Sequence, residues 1–139
     1  MESGAKHWGA AVMCTESTRA ASERHAPGRV VFRPLGRIVV KGRAEPVLFH
    51  EVLAEAGVLT PDDAGCVENF TRGLSLFAAR DWDGARRAFS ASAALEPRSP
   101  GRTPGVQTNP SLVHLELVER FRREPPPAGW DGTHVMTEK

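Results

Sequence analysis

Over the first third of the chain, apolar and polar residues alternate with the period of a β-strand. The segment "VVFRPLGRIVV" (30–40) alternates and is rich in β-branched residues, and "PVLFHEVL" (46–53) repeats the pattern. Lys41-Gly42-Arg43-Ala44-Glu45-Pro46 lies between them, which is turn composition, so the two runs predict a β-hairpin. Pro34 and Gly36 interrupt the first arm. Proline has no amide to donate and glycine weakens a strand, so a bulge or an edge position is expected there. Upstream, "AAVMCTEST" reads as a short apolar run, and "ESGAKHWG" as the last turns of a helix stopped by Gly9. Residues 1–56 are accordingly read as a strand-like zone.

After Thr60 the period becomes helical. Thr60-Pro61-Asp62-Asp63 supplies a cap, a proline in the first turn and acids at the positive end of the helix dipole. Val67, Phe70, Leu74 and Phe77 then fall on one face. Past a break at Arg80-Asp81, Trp82, Ala85, Phe89 and Leu95 form a second stripe that Pro97 ends, so residues 57–98 predict an antiparallel helical pair. The zone from 99 to 139 opens on "PRSPGRTPGVQTNP", a loop by composition. Asn109-Pro110 caps a third helix, with Leu112, Leu115, Val118 and Phe121 expected inward and Glu116, Glu119, Arg120 and Arg123 outward. "PPPAGWDGTHVMTEK" closes the chain in extended form, stiffened by Pro125–Pro127. The fold class expected from this order is α+β.

Composition narrows the function classes. Lys and Arg total 18 against 17 Asp and Glu, so the net charge of +1 gives no electrostatic reason to expect nucleic acid or an anionic membrane as partner. No apolar run approaches the roughly 18 residues of a membrane span. An acid at position 2 and the lack of a basic start argue against a signal peptide. Cys14 and Cys66 are far apart, with no CxxC and no His at ligand spacing, and read as reduced thiols of a cytoplasmic protein. The five histidines are scattered and are assigned no metal. Arg86, Arg87, Arg120, Arg122 and Arg123 are interleaved with acids and read as solvated helix faces. Trp82 and Phe89 read as core, since about three stacked repeats are needed to build a peptide-binding surface. Trp130 is a packing anchor for the tail or a partner contact.

"MESGAKHWGAAVMCTEST" followed by "FRPLGRIVVKGRAEPVLFHEVL" resembles, in order, spacing and turn residues, the end of a class III adenylate/guanylate cyclase domain over about residues 1–54. Gly73, Ala85, Phe89 and Pro97 fall on the small, small, aromatic and proline positions of a tetratricopeptide repeat. The ending "PPPAGWDGTHVMTEK" resembles the helical tail of bacterial cyclases; the long loop from Arg98 to Asn109 departs from them.

The resemblance implies a partial ferredoxin-like cyclase sheet. It also implies an intact enzyme that turns ATP or GTP into the cyclic nucleotide and pyrophosphate with two Mg²⁺ or Mn²⁺ ions at a dimer interface. Lys41 matches the family's triphosphate-contacting lysine, where its charge would complement phosphate; the alternative is a solvated lysine ending a strand. The family's two metal-holding aspartates and its transition-state Asn and Arg fall before the position matching Met1. No Asp precedes Asp62 and no Asn precedes Asn69. No catalytic residue is therefore assigned, and the chain alone is expected to be an inactive C-terminal fragment of a cytoplasmic catalytic region. The competing expectation is an interaction module that offers its helical pair and an open sheet edge to a protein partner or a second copy.

Overall fold

The computed structural model describes residues 9–10, 12–39, 46–130, 132 and 134–135. The expected helix over "ESGAKHWG" falls almost wholly outside them. The chain is α+β and divides into two units, residues 1–59 with 133–139 and residues 60–132.

The first unit is a sheet ordered β1-β3-β2-β4, with β1 Met13–Thr15, β2 Val30–Val39, β3 Val47–Glu55 and β4 His134–Val135. β3 pairs antiparallel with both β1 and β2, while β4 lies parallel to β2 at Ile38 and Val39. The expected hairpin arms are thus neighbouring strands. The irregularity expected at Pro34 and Gly36 is a bulge: Pro34 faces His50, Gly36 faces Phe49, and Leu35 is the extra residue. Gly36 has φ 113°, a conformation that side chains resist, so glycine is required at this point. Among the described residues, the side of β2 away from β3 is paired only at Ile38 and Val39.

A helix corrects the reading of residues 16–25 as part of a strand-like zone. Strand β1 stops at Thr15, and α1 runs from Glu16 to His25. Thr15 caps it by accepting from the Thr18 amide at 3.4 Å. Glu16 opens its first turn, and Arg24 and His25 close its last, so both ends complement the dipole. None of its side chains is buried, so it carries no apolar stripe for a periodicity search to find.

The second unit contains α2 Pro61–Ala78, α3 Trp82–Leu95 and α4 Pro110–Arg123. Local capping explains each start. Thr60 and Asp63 form a reciprocal capping box, Asp81 accepts from the Gly84 amide at 2.9 Å, and Asn109 accepts from the Leu112 amide at 3.0 Å. The buried faces differ slightly from the expected ones. On α2 the inward residues are Cys66, Phe70, Gly73 and Phe77, with Val67 and Leu74 half-buried. On α4 they are Pro110, Ser111, His114, Leu117 and Val118, while Leu112, Leu115 and Phe121 are only half-buried. Polar residues occupy that face because they are bonded there. Ser111 donates its hydroxyl to Glu96 Oε2 at 2.5 Å, and His114 Nδ1 lies 2.9 Å from the Pro110 carbonyl.

The α2–α3 pair depends on a close approach. A Cβ added at Gly73 would sit 2.6 Å from the Phe89 ring, which is fully buried and packs edge-on to Phe70 at 5.3 Å. Gly73→Ala is expected to cost about 1–3 kcal/mol through overpacking. Gly57→Ala, with nothing within 4 Å, should stay within about 0.5 kcal/mol of the unmodified chain. Urea denaturation of both variants checks the contrast.

Candidate functional site

Lys41, the sequence's one candidate ligand contact, lies outside the described residues, as does Arg43. The structure does describe the frame on either side. Ile38 and Val47 are register partners, so Lys41 belongs to the connection that β2 and β3 bracket.

Successive residues of a strand point to opposite faces, so the register sorts the charged groups into rows. Met13, Glu51 and Arg33 form one row across β1, β3 and β2. Arg33 is 1% exposed and Glu51 5%. Arg33 Nε donates to Glu51 Oε1 at 3.0 Å, and its Nη2 donates to the same oxygen. A buried pair of this kind offsets its desolvation only while both partners are present. A one-residue slip of β2 would put the two charges on opposite faces.

The next row, on the other face, holds Cys14, His50 and Pro34. His50 is 6% exposed, and neither ring nitrogen has a hydrogen-bond partner among the described residues. Its Nε2 lies 3.4 Å from Glu16 Oε1 at the start of α1, and the Phe32 ring stands edge-on to it at 6.3 Å. Burial pushes the pKa of His50 down against the opposing pull of the Glu16 carboxylate, and Arg19 adds to the lowering. The Arg19 guanidinium, bonded to Glu16, holds that carboxyl below its usual range. Burial pushes the Cys14 thiol up, with Glu16 adding to the rise, so it is held protonated and is a poor nucleophile.

Among the described residues, no three His, Cys, Asp or Glu side chains come together as a metal site. Glu16 and Glu51 are each engaged by an arginine.

In the helical unit, Phe89 is core and Trp82 is half-buried. Trp130 packs with Phe77 at 5.2 Å, Phe121 at 5.4 Å and Trp82 at 5.9 Å, which makes it a packing anchor for the tail. The five clustered arginines are all exposed. Arg122 meets Asp83 at 3.4 Å, and Arg120 lies over the Phe121 ring. An open groove of about 310 Å³ runs between α2 and α3, with Arg72 and Arg87 on its walls.

Sequence reasoning missed the Arg33–Glu51 pair and the Glu16–Arg19–His50 group. Only for the first did a signal exist, namely opposite charges at inward positions of two paired strands. No family model, curated protein or solved structure matches the chain.

Two outcomes are expected. Glu51→Ala should cost about 3–5 kcal/mol, because it removes a carboxylate to which the buried Arg33 guanidinium donates. For pH, the folded His50 binds its proton below the ordinary 6.5, so the unfolded chain takes it up first. Stability therefore falls as pH drops through 6.5, and falls again below 4.5 as Glu16 is protonated. Urea midpoints measured from pH 8 to 4 should show both declines, and His50→Gln should remove the first.

Proposed function

We propose that this chain is the C-terminal portion of a class III nucleotidyl cyclase and that Lys41 contributes charge to the triphosphate of ATP or GTP. The observation that carries the reading is "FRPLGRIVVKGRAEPVLFHEVL". Its two arms are antiparallel neighbours with a bulge at Leu35, and the lysine lies on the connection between them. An ammonium at the end of a strand is a compact point charge suited to a phosphate oxygen. The Gly73–Phe89 contact and the helical pair support the further reading of a tetratricopeptide-like tail.

Phosphoryl transfer depends on positioned positive charge, most of it from metal ions. Residues before Asp62 include no aspartate to hold such ions, so on this reading the chain alone is inactive and nucleotide is a partner of the intact enzyme only. Its setting is the cytoplasm, where its nucleotide substrate is found.

A second reading is favoured by the outer side of β2. From Val30 to Arg37 it has no strand partner among the described residues. Unpaired strand edges take up partner strands, so a second copy or another protein would add there.

The cyclase reading is tested with an antibody against the "WDGTHVMTEK" tail. The immunoprecipitated native product should be larger than 15.1 kDa and should make cyclic nucleotide with Mg²⁺ or Mn²⁺. Lys41→Ala in that product should lower turnover on the order of 100-fold, and the 139-residue chain should make none. A native product near 15.1 kDa without activity would leave the interaction module as the better account.

A further inference from the structure

Helix α2 ends in a hydrogen-bonded turn whose usual occupant is glycine. The Arg80 amide donates to the Phe77 carbonyl at 3.0 Å and the Asp81 amide to the Leu76 carbonyl at 2.9 Å, the paired pattern that closes a helix around a left-handed residue. That residue is Arg80, at φ 65°, the single non-glycine residue with positive φ among the described ones. An L-residue there costs about 1–2 kcal/mol relative to glycine, so the turn alone does not ask for arginine.

The guanidinium accounts for it. Arg80 Nη1 donates to the Pro126 carbonyl at 3.1 Å, and Nη2 donates to the Pro127 carbonyl. Its carbon also lies 5.8 Å from the centre of the Trp130 ring. Phe77, Trp82 and Phe121 surround that indole from α2, α3 and α4. Prolines offer carbonyls but no amides, so a receptor for a proline-rich strand needs donors and aromatic walls and little else. A planar two-pronged donor over consecutive carbonyls, beside an aromatic cluster, supplies both.

We propose that Phe77, Arg80, Trp82 and Phe121 form a binding site for an extended proline-rich segment of another protein that carries a tryptophan three residues after its last proline, and that the chain's own Pro126–Trp130 occupies the site in cis. The site lies wholly within the helical unit and is independent of the cyclase reading. The tail follows α4 after Glu124, so its local concentration at the site is of millimolar order and a free peptide competes poorly. Release of the tail opens the site.

The test uses the 139-residue chain and a fluorescein-labelled PPPAGWDG peptide, the sequence of residues 125–132, read by fluorescence anisotropy. Trp130→Ala should bind the peptide at least about ten-fold more tightly than the unmodified chain, because the cis anchor is gone. Adding Arg80→Gly, which the turn tolerates, should reduce that binding about ten-fold or more. If Trp130→Ala loses its helical circular dichroism, Pro126→Gly/Pro127→Gly takes its place with the same expectation, since it loosens the tail and leaves every aromatic ring intact. The proposal is overturned if the folded tail variant does not bind, or if Arg80→Gly makes no difference. It is also overturned if light scattering shows an unmodified dimer that Trp130→Ala dissociates, since the occupant would then be a second copy.

Discussion

The register between β2 and β3 is the constraint on which the sheet unit rests. Two features hold it: the Arg33–Glu51 pair in one row, and the extra residue at Leu35 further along β2. Shifting β2 by one position would bury an arginine and a glutamate without each other and turn Leu35 and Ile38, each 1% exposed, to the wrong face. The bulge in turn fixes the phase at which β2 reaches Val39 and enters the segment bearing Lys41.

The opposite face is built differently. His50 enters it from the central strand with both nitrogens unbonded among the described residues, and the carboxylate nearest to it is already held by Arg19. Charge on this face is thus concentrated at the start of α1, where Thr15 caps the helix and Glu16 faces the histidine. A short strand, a cap and an ion pair together explain why the chain turns from β1 into a helix after three residues.

In the helical unit, apolar contact and hydrogen bonding divide the labour. Gly73 lets the Phe89 ring close upon α2, while Ser92, Ser111 and Glu96 form a buried polar chain between the end of α3 and the start of α4. Ser92 Oγ and Ser111 Oγ are 2.6 Å apart, and the Ser111 amide at the head of α4 also donates to Glu96 Oε2 at 3.2 Å. A carboxylate at a helix N-terminus meets free amides and the positive end of the dipole, so burying Glu96 there is tolerable.

Local chemistry was legible in the sequence wherever a few neighbouring residues decide the outcome. Thr60, Asp81 and Asn109 start helices through their own side chains, Pro34 and Gly36 mark a bulge through backbone restrictions, and alternating β-branched residues make strands. Helix α1 escaped notice because capping and propensity hold it, and an element that buries no side chain leaves no stripe to read. The tertiary structure alone decided which faces of α2 and α4 turn inward. Burial there goes to Gly73, Ser111 and His114, whose fitness depends on a ring or a carboxylate contributed from elsewhere: Phe89 for Gly73, Glu96 for Ser111, and the Phe70 and Phe89 rings for His114. It also decided that Arg33 meets Glu51 and that Arg80 clamps the proline tail. Such pairings join residues far apart in the chain, and distance along the chain says nothing of them until the backbone has folded.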